Sequence, residues 1–162
     1  MSNFSKKIIV AIDTVDIDEA LLISSTIKNV GAFKLGLEFF CANGPQGVNK
    51  IANTGANIFL DLKFHDIPNT VVGALKASLK LQPYMLTVHL SGGFNMLKSS
   101  VEMVEDYCSK INIPIPLILG VSVLTSIDQS DFYSLGISGK VEDQVKRLAD
   151  LAINAGLGGM VC

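Results

Sequence analysis

The sequence lacks several features that would place it in a specialised class of protein. Its net charge of -2 leaves no basic stripe of the kind that binds nucleic-acid phosphates. Its three cysteines, Cys41, Cys108 and Cys162, form no CxxC pair, and their odd number argues against a closed disulfide framework. The apolar run IIVAI is too short for a signal-peptide core or a membrane span. We therefore expect a cytoplasmic protein with reduced thiols that binds neither nucleic acid nor membrane.

The sequence does contain enough apolar residues for a substantial core. Hydrophobic residues occupy 49% of the 162 positions, and charged residues occupy 17%. A chain of this length falls in the ordinary size range of one domain. We expect residues 1–162 to form a single domain.

Continuous apolar runs of strand length alternate with longer segments of helical pattern, which is typical of βαβ units around a buried parallel sheet. The predicted strands are KIIVAID (7–13), AFKLGL (32–37), ANIFLDLK (56–63), YMLTVHL (84–90), PLILGVSV (116–123) and LGGMVC (157–162). The predicted helices lie at 16–31, 44–55, 68–81, 93–110 and 141–156. Glycines in left-handed conformation are expected at the ends of three of them, at Gly31, Gly55 and Gly156. Residues 125–140 are predicted to form an irregular loop over a site.

Polar side chains recur toward the carboxyl ends of the predicted strands. A side-chain period of two places Asp61 and Lys63 on one face of the third strand. Asp13, His89 and Ser122 are expected at or near the ends of the first, fourth and fifth strands, and Lys34 inside the second. A (β/α)8 barrel builds its chemistry at these ends of several strands, whereas a doubly wound sheet commonly has a glycine-rich turn after its first strand, where this sequence has DTVDIDE. We predict an α/β fold of the TIM (β/α)8-barrel type, to which this chain contributes about the first six strands.

Four ionisable residues of this region alternate in sign: Lys34, Asp61, Lys63 and Asp66. Opposite unit charges about 4 Å apart attract by about 4 kcal/mol at an effective dielectric constant of 20, before desolvation is subtracted. A lysine ammonium group beside fixed carboxylates can give a proton to a carbon that develops negative charge. The alternative is a structural ion-pair network that caps the barrel. Neither histidine has the spacing of a metal site such as HExxH, so no metal is expected.

The segment FLDLKFHDIPNTV resembles the D-x-K-x-x-D-I-P-x-T signature of the orotidine 5'-phosphate decarboxylase family. The segments IIVAID, FKLGLEFF, VHLSGG, GVSVLTS and GLGGMVC are similar to the family's first, second, fourth, fifth and sixth strands. The resemblance implies a (β/α)8 barrel that converts orotidine 5'-phosphate to UMP without metal or organic cofactor. The family's phosphate-binding loop and last strands would follow Cys162, so we interpret the chain as the larger, N-terminal part of such an enzyme.

The resemblance also implies roles for individual residues. Lys63 would donate a proton to C6 of the pyrimidine, Asp61 would lie against the departing carboxylate, and Lys34 would order the aspartates and contact the ribose. The other substrate-binding residues implied are Asp13 and His89 on the sugar side, Thr125 and Ser126 at the pyrimidine edge, and Ile67 and Pro68 within the signature. Asp66 and Thr70 would reach into the neighbouring subunit's site, which implies a homodimer with shared active sites.

Two alternatives remain open. A Mg2+-dependent sugar-phosphate decarboxylase or aldolase of the same barrel superfamily shares D-x-K-x-x-D, but it holds its metal partly with an acid on the second strand. This sequence has Lys34 at that place, and a second cation would be repelled there. The other alternative is a non-catalytic barrel fragment that keeps the charged residues without turnover.

Overall fold

The fold is a parallel β-sheet that carries helices on its outer face. The computed structural model describes residues 7–161. The strands are β1 (Ile9–Ile12), β2 (Ala32–Gly36), β3 (Ile58–Phe64), β4 (Met85–His89), β5 (Leu117–Val121) and β6 (Gly159–Val161). The helices are α1 (Ile17–Thr26), α2 (Leu37–Ala52), α3 (Pro68–Ser78), α4 (Phe94–Ile111), α5 (Gln129–Ser134) and α6 (Val141–Ala155). In this part of the chain, no helix is long and apolar enough to cross a bilayer.

The order of the strands identifies the architecture. Each strand pairs in parallel with the next one along the chain, so the sheet runs from β1 to β6 in sequence order. A doubly wound sheet would reverse its strand order at a switch point, and this sheet does not. The prediction of an α/β barrel fold with six strands from this chain is therefore confirmed. Cys162, the end of the last predicted strand, lies outside the described residues.

The main hydrophobic core lies between the sheet and its helices. Leu35, Leu60 and Leu86 are fully buried and stand next to one another on adjacent strands. They belong to the same cluster as Val71 and Leu75, which recur at the four-residue spacing of one face of α3. This packing holds the helices to one side of the sheet and leaves the other side to form the barrel interior.

The inner face of the sheet has two layers. Ala32, Phe59 and Met85 form a separate buried cluster, against which Leu119 packs. The residues two positions further along the same strands are Lys34, Asp61, Thr87 and Val121. Because side chains two apart share a face, an apolar layer lies beneath a largely polar one at the carboxyl ends of the strands.

The prediction of a left-handed glycine at Gly31 is wrong. Helix α1 ends at Thr26, and the left-handed residue of the following turn is Asn29, with φ 62°. Asparagine tolerates this conformation better than most residues because its side chain can hydrogen-bond to nearby backbone. Gly55 and Gly156, with φ 86° and 85°, are left-handed as predicted.

Two predicted boundaries are also wrong. Helix α2 begins directly after β2 and is kinked at Gly44, with φ 60°, after which Pro45 restarts it. The predicted loop 125–140 contains the short helix α5. Its N-cap Asp128 accepts the N–H of Asp131 at 2.9 Å, and the Asp131 carboxylate accepts the N–H of Asp128 at 3.1 Å. This reciprocal capping satisfies two backbone N–H groups at the start of α5 and so stabilises a short helix in place of an irregular loop.

Candidate active site

Four charged side chains meet at the carboxyl ends of β1, β2 and β3. Lys63 Nζ donates a hydrogen bond to Asp61 Oδ2 at 2.8 Å. Lys34 Nζ lies 3.9 Å from the same oxygen and donates to Asp13 Oδ1 at 3.4 Å. Two ammonium groups therefore flank the carboxylate of Asp61, and Asp13 provides a second negative charge beside Lys34.

Burial divides this network into an inner and an outer part. The side chain of Asp61 is 10% exposed, whereas that of Asp13 is 71% exposed. The side chains of Lys34 and Lys63 are 25% and 30% exposed. Because charges interact more strongly where water is largely excluded, Asp61 is the electrostatic centre of the site and Asp13 lies at its rim.

A bulge in β3 sets the positions of Asp61 and Lys63. The strands β3 and β4 are paired on both sides of the bulge, so residues 61–63 of β3 stand opposite the single residue Thr87 of β4. Lys63 has φ 51°, a left-handed backbone that is uncommon outside glycine. Bulges re-aim side chains and are frequent beside active sites. The prediction that Asp61 and Lys63 share a face is confirmed by their contact, although the strand is not regularly pleated there.

Thr87 is a member of the site that the sequence pattern alone does not distinguish. Its side chain is fully buried, accepts a hydrogen bond from the backbone N–H of Lys63 at 2.8 Å and donates one to Asp61 Oδ1 at 2.9 Å. The available signal is a threonine within the apolar run MLTV, two positions before His89 and so on the same strand face.

Two histidine rings lie beside the charged network. His89 ends β4, and its ring centroid is 5.3 Å from that of His65. Burial lowers the pKa of His89 from its usual 6.5, and the charges of His65 and Lys63 lower it further, while Asp61 opposes them. His89 is therefore neutral at pH 7, and its ring nitrogens can donate one hydrogen bond and accept another.

The charged network opens into a cleft of about 260 Å³. Its lining residues are Lys34, Phe59, Asp61, Lys63, Val121, Val123, Leu124, Thr125 and Val161. A concave site with apolar walls and a few convergent polar groups is the usual form of a small-molecule site. Of the two residues predicted at a pyrimidine edge, Thr125 lines this cleft, while Ser126 is exposed in the same turn.

The residues after β3 lie apart from the network. The exposed carboxylate of Asp66 accepts the backbone N–H of Ile67 at 2.6 Å, and within residues 7–161 it forms no ion pair. Pro68 is the first residue of α3, as predicted, and Thr70 is exposed in the first turn. The predicted participation of Asp66 in the network is therefore not seen within one chain, because β3 has ended before it. Asp13 is the second carboxylate of the observed network.

The described residues offer no evident metal-binding group. No three His, Cys, Asp or Glu side chains in the range 7–161 come together as potential ligands. Cys41 and Cys108 are free thiols, and Cys162 lies outside the described range. The most buried carboxylate, Asp61, already has two ammonium groups beside it. Independence from metal ions stays a prediction.

Comparisons with known proteins agree with this geometry. The family model described as "Orotidine 5'-phosphate decarboxylase / HUMPS family" matches residues 6–162. The orotidine 5'-phosphate decarboxylase of Paramagnetospirillum magneticum is 45% identical over 94% of this chain, and that of Sphingopyxis alaskensis is 47% identical over 96%. The crystal structure of orotidine 5'-phosphate decarboxylase from Lactobacillus acidophilus has a TM-score of 0.87 and 34% identity, covering 96% of this chain and 70% of that one.

These relatives are longer than the chain. It spans 66% of the length of both curated relatives named above, a little under two thirds. The match nevertheless includes all six strands and every residue of the charged network. This chain belongs to the orotidine 5'-phosphate decarboxylase / HUMPS family.

Proposed function

We propose that the protein decarboxylates orotidine 5'-phosphate to UMP, the last step of de novo pyrimidine synthesis, and that this chain carries the reacting groups. The observation that carries the proposal is the Asp61 carboxylate held between two ammonium groups at the carboxyl ends of the strands. The named activity of relatives at 45% and 47% identity supports the same reaction. Because this chain spans 66% of the length of these relatives, the activity is proposed for the full-length protein.

Lys63 is the proposed proton donor. The bond between C6 of the pyrimidine and its carboxylate breaks, the electron pair stays on C6, and CO2 departs. The ammonium group of Lys63 stabilises this carbanion and then transfers a proton to it, leaving a neutral amine that regains a proton from water. Charges already fixed in a partly buried site need no reorganisation during the step, which is why such preorganised groups are effective.

The remaining network residues hold the donor and the substrate in the proposed reaction. Asp61 lies beside Lys63 Nζ and faces the departing carboxylate, while Lys34 orders Asp61 and Asp13 through its two contacts. Lys34 and Asp13 bind the ribose, with His89 supporting the sugar side. Thr125 of the cleft, with Ser126, contacts the pyrimidine edge.

We further propose a homodimer with shared sites, in which Asp66, Ile67, Pro68 and Thr70 belong to the substrate site of the neighbouring subunit. The exposure of Asp66, Ile67 and Thr70 in the single chain supports this role, since Ile67 is 66% exposed despite being apolar. Two other apolar side chains that follow strand ends, Leu37 and Phe94, are 53% and 45% exposed. In the proposed dimer, a second copy packs over these strand ends and covers part of this apolar surface.

The proposed reaction uses no metal and no organic cofactor. Support comes from Lys34, which occupies the second-strand position where a Mg2+-dependent sugar-phosphate enzyme would have an acid. With Lys34 and Lys63 within 4 Å of Asp61, a divalent cation would meet two positive charges at this carboxylate. The free thiols of Cys41 and Cys108 support a cytoplasmic location, which is also a proposal.

The decisive experiment is an activity assay on the full-length protein. Orotidine 5'-phosphate is incubated with and without EDTA, and its loss is followed by ultraviolet absorbance while UMP is identified by chromatography. We expect the same rate in both samples. Activity that disappears with EDTA and returns with Mg2+, on a sugar phosphate in place of the nucleotide, would instead support the metal-dependent alternative. No turnover of either substrate would support a non-catalytic protein.

A further inference from the structure

Thr87 lies at the centre of the site without lining the cleft. It stands opposite the β3 bulge on the neighbouring strand β4, and none of its surface is exposed. A buried hydroxyl with no hydrogen-bond partner is costly, so its environment must satisfy it. Both of its partners belong to the reacting pair, Lys63 and Asp61.

The directions of these two hydrogen bonds are fixed by chemistry. The backbone N–H of Lys63 can only donate, so the Thr87 oxygen is the acceptor at 2.8 Å. The single hydroxyl proton is then directed at Asp61 Oδ1, 2.9 Å away. That oxygen is thereby occupied, and Oδ2 faces both ammonium groups, at 2.8 Å from Lys63 Nζ and 3.9 Å from Lys34 Nζ.

Thr87 also supports the unusual backbone of Lys63. At the bulge, the N–H of Lys63 donates to the Thr87 hydroxyl of the neighbouring strand. The left-handed conformation at φ 51° is held only when surrounding contacts determine it. One hydroxyl therefore fixes the carboxylate orientation on one side and the peptide from which the lysine side chain departs on the other.

We propose that Thr87 is a positioning residue that aligns the Lys63 ammonium group with the reacting carbon through its simultaneous hydrogen bonds to Asp61 and to the Lys63 backbone. This inference rests on the proposed function, since it assigns Lys63 as the proton donor. Thr87 itself does not touch the substrate, so its removal should affect the reaction step and leave substrate binding largely intact.

The test compares Thr87→Val with Thr87→Ser in the full-length protein. Valine has nearly the shape of threonine and no hydroxyl, whereas serine keeps the hydroxyl and loses a methyl group. Misplacement of a reacting group by about 1 Å can lower the rate by about 100-fold. We expect a decrease of that size in kcat for Thr87→Val with KM unchanged, and near-normal kcat for Thr87→Ser. Both are measured well below the thermal midpoints of the variants.

Several outcomes would overturn the inference. Wild-type kcat in Thr87→Val, or an equal loss in both variants, would mean that the hydroxyl does not position the donor. If Thr87→Val does not fold, Thr87→Cys offers a similar volume and only a weak hydrogen-bonding group, and it should lose kcat relative to Thr87→Ser. Equal kcat in those two would also reject the role.

The experiment separates this inference from the proposed function. Failure of the wild-type protein to release CO2 from orotidine 5'-phosphate rejects the proposed function itself. The positioning role is then decided by crystal structures of wild type and Thr87→Val. A displaced Asp61 carboxylate and a changed Lys63 backbone support it, while an unchanged contact between Lys63 and Asp61 rejects it.

Discussion

Replacing Asp61 with asparagine should destabilise the protein far more than the same replacement at Asp13. At an effective dielectric constant of 20, the attraction of Asp61 is about 6 kcal/mol to Lys63 at 2.8 Å and about 4 kcal/mol to Lys34 at 3.9 Å, before desolvation. Hydration regained on unfolding removes much of this. Deleting one partner of a buried pair typically costs about 3–5 kcal/mol, and the partial exposure of both lysines places Asp61→Asn near 3 kcal/mol.

Asp13→Asn is the matched control because Asp13 shares the partner Lys34 at the shorter distance of 3.4 Å. Distance alone would make Asp13 the stronger partner of Lys34. Its side chain is 71% exposed, however, and exposed ion pairs are worth less than about 1 kcal/mol. Asparagine is nearly isosteric with aspartate. In Asp61→Asn the amide oxygen can still accept the Thr87 hydroxyl, but the NH2 group then faces Lys63 Nζ, so this variant removes the charge and also the acceptor of the Lys63 hydrogen bond.

The measurements are urea denaturation and thermal denaturation of the full-length protein at pH 7. Urea is preferred to guanidinium chloride, which would screen the ion pairs under study. For a protein of about 150–250 residues, 3 kcal/mol corresponds to a decrease of about 6–12 °C in the thermal midpoint. Equal losses in both variants would refute the reasoning from burial. A stabilised Asp61→Asn variant would show that desolvation of the network outweighs its internal attraction.

The remaining predictions concern the donor, the dimer and the histidine. Lys63→Ala should abolish decarboxylation while UMP binding stays measurable by calorimetry, because it removes the proton donor and the counter-charge of the carbanion; near-normal turnover would contradict the assignment. Mixing inactive Lys63→Ala and Asp66→Ala chains should restore activity, because a mixed dimer contains one site without either defect; a mixture that exchanges subunits and stays inactive would exclude shared sites. The lowered pKa of His89 means that the folded chain binds fewer protons than the unfolded chain below pH 6.5. His89 therefore leaves the free energy of unfolding unaffected above pH 6.5 and lowers it as the pH falls below that value. His89→Gln should reduce the acid sensitivity of the urea midpoint. An unchanged pH profile would contradict the lowered pKa of His89.

The sequence predicts the sheet well because strands buried on both faces consist of continuous apolar runs. All six strands were predicted, and so was the polar layer at their carboxyl ends. Helix α5 was missed because it has six residues and a polar composition, and it depends on a capping interaction between Asp128 and Asp131. The start of α2 was missed because Gly44 and Pro45 read as a break, whereas the chain bends there and continues as helix.

The site was predicted in its residues more than in its geometry. The alternation of positive and negative residues along the chain groups Asp66 with the two lysines. Strand β3 ends at Phe64, however, so the alternation of side chains along a strand does not extend to Asp66. The bulge could not be predicted from the sequence of β3 alone, because the pairing register depends on the partner strand β4. Thr87 reads as an ordinary β-former in a strand, and only its position opposite residues 61–63 distinguishes it.

The left-handed backbone of Lys63 has a consequence for how this position can evolve. At φ 51° a residue with a side chain is less stable by about 1–2 kcal/mol than in an ordinary conformation, a penalty that glycine escapes. If only folding were under selection, substitution of this residue by glycine would therefore be favoured. A lysine is retained only while the ammonium group is needed, so the identity of this one residue reports whether a homologous chain is still under selection for its chemistry.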